Sequence, residues 1–402
     1  MLTTKIRRRS LAAGLAAAPL LPFAARAQES GSVKIGVLTD AAGPYADSGG
    51  PGSVLAARMA VAEFGGTVLG KKIDILLGDT QNKPDVAGSL ARQWFDTNGV
   101  DAITDLPVTP VAAAVLQVAR EKGRTVMITA SAVSEFTSKL CMPTSTHWAD
   151  DTHALTYGTA AEVVKQGGKN WFFITVDFTF GKALEASAKA VIEAGGGKVL
   201  GSTYFPIGNA DFSSQLVQAQ NSGAEVIGLA AVGNDQVNAI KQAAEFGLTR
   251  NGKQRLAGFL VYITDIHSLG LKATQGLTLS SGFYWDQNDA ARNFAKPFSA
   301  SRNAMPTKNQ ASIYAATLHF LKAMAQAGTR DAIAVNKAMR ALPVDYLGHP
   351  ASIRRDGRVL YDLTLYRVKT PEQSKGPWDY YTPIGNIPAA EAFLPMNPAC
   401  AA

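Results

Sequence analysis

The chain has 402 residues, 47% hydrophobic and 18% charged, with a formal net charge of +7. That describes a globular protein too long for one small core, so two domains of ordinary size are expected. A basic balance points to nucleic acid or an anionic membrane, but residues 1–27 hold five of the positive charges and no acid, which leaves +2 for the rest of the +7. No run of five like charges and no basic-aromatic interleaving follows, which excludes nucleic acid as a partner.

Lys5, Arg7, Arg8 and Arg9 precede an apolar run over residues 11–23, and Ala25-Arg26-Ala27 follows it. This is the layout of a signal peptide cleaved after Ala27, giving a mature start at Gln28 and a periplasmic location. The run is too short for a membrane-spanning helix, which needs about 20 apolar residues. Arg8-Arg9-Ser10-Leu11 resembles a twin-arginine export signal, and an ordinary secretory route stays open beside it. Cys141 and Cys400 are the two cysteines. In an exported chain they form a disulfide or remain as two buried thiols.

Residues 33–39 (VKIGVLT) read as a buried strand, and residues 53–64 have helical spacing. A strand at 73–79, a helix at 86–98 stopped by Gly99, and a strand at 101–106 follow. Thr109-Pro110 opens a helix that ends at Gly123, with Thr109 as N-cap and Pro110 at the first helical position. A strand at 125–129 closes the series. A second series has strands at 170–176, 198–205, 225–232 and 255–263, with helices at 182–194, 212–221 and 234–246. Continuous apolar strands alternating with helices predict parallel sheets covered on both faces, hence an α/β protein with two doubly wound lobes. Beyond Gly276 the reading is a strand at 277–285, helices at 310–328 and 331–342, and a hairpin at 351–368 turning at Asp356-Gly357. The tail from Thr370 is expected to wrap the surface.

Enzyme signals are weak. No histidines pair at i, i+4, no G-x-S-x-G elbow or P-loop appears, and Gly195-Gly196-Gly197 ends a helix instead of opening one. The five histidines read as surface or capping residues. No metal and no cofactor is expected. Ligands of parallel α/β sheets bind outside the carboxyl ends of the strands. In the first lobe those loops hold Tyr45, Pro107-Val108-Thr109 and Ala130-Ser131-Ala132. Free N–H groups and the dipole at a helix start favour an anion, and Thr109 and Ser131 add hydroxyls, which suits a carboxylate. The competing role for both is plain N-capping.

Five stretches carry a resemblance: VKIGVLTDAAGPYADSGG (33–50), DAITDLPVTPVAAAVLQVA (101–119), MITASAVSEFTSK (127–139), VDFTFGKAL (176–184) and ATQGLTLSSGFYW (273–285). In this order the chain resembles the periplasmic solute-binding proteins of branched-chain amino acid type ABC transporters, the leucine/isoleucine/valine-binding family. The resemblance implies a type I periplasmic-binding clamshell of two lobes joined by three crossovers. Its boundaries are expected at 33–148 plus 277–346 for the first lobe and 149–276 plus 347–402 for the second. It implies a monomeric, non-enzymatic receptor that closes on a small ligand and presents it to permease subunits. It places the ligand carboxylate at Thr109, Ala130 and Ser131, with Tyr45 at the cleft mouth. The second lobe contributes residues 177–181, Val232-Gly233-Asn234, and the region of Tyr262 and Asp265.

The chain departs from the family where amino-acid binders usually carry a tyrosine: Phe180 stands there and offers no acceptor to an α-ammonium. A buried ammonium without a partner is costly. Asp265 is the one candidate acid. Phe178, Phe180, Tyr45, Trp148, Tyr284 and Trp285 either line an aromatic cleft or form lobe core. The expected ligand is therefore a small carboxylate with an aromatic or apolar body, ahead of an aliphatic amino acid or a small amide. The residues 147–152 at the first crossover read as hinge and capping chemistry, with Trp148 as a rim candidate. A sensor for a membrane receptor and an exported α/β enzyme are the rival functions.

Overall fold

The computed structural model describes residues 1–2, 31–248 and 254–400. The expected signal peptide and the start at Gln28 lie outside the described residues. From Ser32 onward the chain forms one compact unit, with two lobes inside it.

The first lobe begins as β1 (Val33–Thr39), α1 (Gly50–Phe64), β2 (Thr67–Val68), β3 (Lys71–Asp79), α2 (Pro84–Gln93), β4 (Ala102–Asp105), α3 (Thr109–Lys122), β5 (Thr125–Ile128) and β6 (Ser145–His147). The sheet order is β2-β3-β1-β4-β5-β6, parallel from β3 to β6. Gly36 and Gly78 are bare because the Trp94 ring lies on them: a Cβ at Gly36 would sit 2.2 Å from the indole, and one at Gly78 2.8 Å from it.

The second lobe runs through α4 (Thr152–Lys165), β7 (Asn170–Val176), α5 (Thr179–Ala194), β8 (Lys198–Phe205), α6 (Ser213–Asn221), β9 (Val226–Ala230), α7 (Asn234–Phe246), β10 (Arg255–Gly258), α8 (Ile263–Leu269), α9 (Leu271–Thr274) and β11 (Thr278–Ser281). Its parallel sheet has the order β10-β9-β7-β8. The chain then returns to the first lobe as α10 (Asp289–Arg302), α11 (Lys308–Ala327), α12 (Ala332–Ala341), β12 (Val344–Tyr346), β13 (His349–Ile353) and β14 (Val359–Leu360). Helix α11 packs on α1, and a parallel bridge joins His147 to Arg358. Last come β15 (Leu363–Val368), β16 (Tyr381–Ile387) and α13 (Ala389–Ala392), with β15 antiparallel between β11 and β16.

These pairings shift the lobe divisions read from sequence. Residues 278–281 hydrogen-bond to β15 of the second lobe, while β13 pairs with β12 and packs on α12 of the first, and β14 pairs with β13. The Asp356-Gly357 turn joins β13 to β14, but 363–368 leaves that hairpin for another sheet. Helix α10 was not read from sequence because Pro297 stands inside it. Strand β16 was missed because Pro383 and Gly385 interrupt it; it is an edge strand, where both are tolerated. Cys141 and Cys400 form a disulfide with their Cα atoms 6.1 Å apart, tying the tail to the loop before β6. Among the described residues no helix is long and apolar enough to cross a membrane.

The three crossing segments meet at one buried carboxylate. Asp150, on the first crossing, accepts from the Tyr361 hydroxyl of the third at 2.9 Å and from the Gly282 N–H of the second at 3.3 Å. Lys308 Nζ lies 3.0 Å from its Oδ2. Beside it Arg358, fully buried, donates to the Ala149 carbonyl at 2.7 Å, to the Val359 carbonyl and to His147 Nδ1 at 3.0 Å. Burial, reinforced by the Arg358 charge, holds His147 well below its ordinary pKa, so the ring is neutral and its Nε2 donates to the Ser131 carbonyl at 2.8 Å. His147 and His319 are therefore buried structural histidines, not surface ones.

Candidate functional site

The carboxyl ends of both parallel sheets face one cavity with about 400 Å³ of unfilled space. From the first lobe it is lined by Tyr45 and Ser48 after β1, Pro107, Val108 and Thr109 after β4, and Ala130 and Ala132 after β5. Asn309, at the start of α11, completes that side. The second lobe supplies Phe178 and Phe180 after β7, Val232 after β9, and Leu260 and Tyr262 after β10.

The first-lobe wall is rich in donors. The N-cap of α3 is Val108, one residue earlier than expected, with Thr109 and Pro110 at the first two helical positions. Valine has no side-chain acceptor, so nothing caps the first-turn N–H groups. The shift also frees the Thr109 hydroxyl, which makes no hydrogen bond to another described residue. Sequence alone did not decide this, because proline suits either early position. Burial, then Asp235 and Asp40, push the Tyr45 phenol up to about 12, so it is a hydrogen-bond donor at neutral pH. No described residue takes up that donor.

The second-lobe wall is apolar. Phe178 and Phe180 pack with ring centroids 6.0 Å apart, and Val232 and Leu260 continue the surface. The lobes touch across the cleft. Asn309 Nδ2 donates to Tyr262 Oη at 2.9 Å. Gly233 has φ +63°, and a Cβ there would lie 3.0 Å from the Pro44 carbonyl and 3.1 Å from the Tyr45 ring. Both features exclude a side chain at that point.

Seven of the residues singled out from sequence do not line this cavity; among them Trp285 donates its indole N–H to the Trp378 carbonyl at 2.8 Å. Ser131 is buried, and its hydroxyl donates to the Leu106 carbonyl at 2.6 Å, so the donor expected for a ligand is already used. Trp148 is fully buried, donates to Thr146 Oγ1 and packs on His319, in the first-lobe core below the hinge and not on the rim. Tyr284 turns toward the tail and donates to the Trp378 carbonyl at 3.1 Å. Asp265 accepts the Tyr262 N–H at 2.8 Å in the capping box of α8, and burial pushes its carboxyl up to about 7. Gly233 serves through its close approach to Tyr45, and Asn234 is exposed at the first turn of α7. Sequence reasoning missed Ser48, Leu260 and Asn309. A Thr307-x-x-Gln310 capping box marks the start of α11 and was the legible signal for Asn309.

Among the described residues no cluster of histidine, cysteine or acidic side chains is placed to hold a metal ion.

The family model described as periplasmic binding protein matches residues 32–377. A periplasmic binding protein of Burkholderia mallei is 44% identical, superposes with a TM-score of 0.88, and is matched over 90% of this chain and 96% of its own. A branched-chain amino acid ABC transporter periplasmic ligand-binding protein of Burkholderia xenovorans LB400 is 37% identical, with a TM-score of 0.82 over 90% of this chain and 97% of its own. The Leu/Ile/Val-binding protein homolog 6 of Brucella melitensis is 26% identical over 66% of this chain and 68% of its own length.

Proposed function

This chain belongs to the periplasmic binding proteins of the leucine/isoleucine/valine-binding type, and we propose that its ligand is a small carboxylate with an aromatic or apolar body and no α-ammonium. The family is a class of solute receptors of ABC transporters, not of enzymes, and its place is the periplasm. Residues 1–27 are proposed as the export signal and a monomer as the working form, delivering its ligand to permease subunits.

One observation carries the ligand assignment. The thirteen residues around the cavity include no carboxylate. An ammonium buried there would lack the charged partner that offsets its desolvation. A carboxylate finds the reverse. The uncapped first turn of α3 supplies free N–H groups and the positive end of the helix dipole. The Thr109 and Tyr45 hydroxyls add two neutral donors, and Phe178, Phe180, Val232 and Leu260 receive the apolar body. Closure is favoured because the ligand touches both walls at once.

The relatives favour a second reading, an aliphatic amino acid, since the Burkholderia xenovorans protein is a branched-chain amino acid ABC transporter periplasmic ligand-binding protein. A thermal-shift panel on protein refolded to strip carried-over ligand separates the two. A ligand that binds only the folded state raises the melting temperature. Aromatic and branched aliphatic acids without an amino group are expected to stabilise the protein; stabilisation by leucine or valine alone would overturn the proposal.

A further inference from the structure

Behind the ligand cavity lies a second, smaller chamber, between β11, the second crossing segment and the start of α11. Tyr262 is the one residue that lines both spaces. Its neighbours Leu260 and Asn309 face the ligand cavity, whereas Ile263 and Lys308 face the chamber. The ring therefore stands as the partition. It is held from both sides: Asn309 donates to its hydroxyl, and the Lys308 ammonium lies 5.8 Å from its centroid.

The chamber is not merely a packing fault. Tyr381, 4% exposed, lines it, and its hydroxyl has no hydrogen-bond partner among the described residues. Lys308, 7% exposed, also lines it. Its ammonium forms an ion pair with Asp150 but makes no hydrogen bond of proper geometry. Two buried donors thus share one small space, where Ser281, Tyr284 and Trp285 already donate to the Phe283 and Trp378 carbonyls. Buried donors are normally satisfied, so this space suits an oxygen acceptor.

We propose that Tyr262 sets the length of ligand this protein accepts, and that the chamber behind it is a subsite for an acceptor oxygen at the far end of a longer acid. With the ring in place the site takes a single-ring acid. With the ring shortened, the two spaces join and the Lys308 and Tyr381 donors come within reach. The inference rests on the proposed carboxylate site and adds to it the basis of size selection.

The test measures dissociation constants of benzoate, biphenyl-4-carboxylate and biphenyl-4,4′-dicarboxylate for the wild type and for Tyr262→Phe, Tyr262→Leu and Tyr262→Ala. The wild type and Tyr262→Phe are expected to prefer benzoate at least tenfold. Tyr262→Ala is expected to reverse that order, with the dicarboxylate gaining more than the monoacid because only it carries the distal oxygen. An unchanged long-to-short ratio in Tyr262→Ala and Tyr262→Leu overturns the proposal, as does an equal shift in Tyr262→Phe. If the wild type binds none of the acids, the carboxylate reading fails, and the partition is then read from xenon-pressurised crystals of Tyr262→Leu. One continuous xenon site supports the partition; two separate ones overturn it.

Discussion

Two buried polar regions are built on opposite rules. At the crossovers most polar groups satisfy one another: Asp150 accepts from Tyr361 and Gly282, while Arg358 bonds two carbonyls and His147. In the cleft the Thr109 and Tyr45 hydroxyls and the first turn of α3 keep their donors free. Saturation fixes the hinge, because a charge buried with all its partners resists rearrangement. Free donors facing apolar walls are what the proposed carboxylate site rests on. Polar residues alone thus mark neither region as a binding site; whether their bonds are already spent does.

The sharpest way to break the comparison is to unsatisfy the hinge. Arg358→Ala leaves the Ala149 carbonyl without its donor and Asp151 without its nearby charge. Removing one partner of such a buried set costs about 3–5 kcal/mol, and urea unfolding should show a loss of that size. A change below 1 kcal/mol would mean that the knot does not hold the lobes. The disulfide acts at the tail instead. Cys141→Ser with Cys400→Ser should lower stability by about 2–4 kcal/mol, and reduction of the wild type should give the same loss. Ligand affinity should be unchanged, since neither cysteine approaches the cavity.

Thr109→Val tests the unsatisfied region. It keeps the shape and removes a free donor, so the affinity for the bound acid should fall by about 1.5–3 kcal/mol, read by calorimetry, with no change in melting temperature of the apo protein. The corresponding Ser131→Ala should leave affinity nearly unchanged, because that hydroxyl is bonded to Leu106.

A pH-dependent effect concerns a carboxylate that belongs to neither region. Asp105 is fully buried at φ +79°, and the Thr39 and Ser53 hydroxyls approach it without hydrogen-bond geometry. Burial pushes its pKa up to about 6, above the unfolded value of about 3.9. Between those values the folded state holds a proton that the unfolded state has lost. The stability this gives is complete below about pH 4 and is lost as the pH rises through 6. Asp105→Asn keeps the left-handed backbone, which asparagine tolerates. Its stability relative to wild type should rise between pH 4 and 6 and then level off, as followed by urea midpoints. A flat difference would show that the carboxyl titrates normally.

The parallel sheets were legible because strands such as β1 and β7 are apolar along nearly their whole length, which only a doubly covered sheet explains. The loops at their carboxyl ends followed from that topology, and Tyr45, Thr109, Phe180 and Tyr262 do meet at one cavity. The rest depended on three-dimensional competition. Ser131 and Asp265 carry the right chemistry but spend it on Leu106 and on a capping box. Trp148 has the side chain of a cleft wall and the neighbours of a core. Asn309 reaches the site from a helix far along the chain, and only the packing of α11 on α1 brings it there.

The most direct test is calorimetric titration of ligand-free protein with matched pairs that differ only in the α-ammonium: 4-methylpentanoate against leucine, and 3-phenylpropanoate against phenylalanine. A cavity without an acid to meet the ammonium predicts that the deaminated acid binds more tightly in each pair, by tenfold or more. Tighter binding of leucine or phenylalanine would contradict it and would mean that an acceptor other than the thirteen lining side chains reaches the ligand.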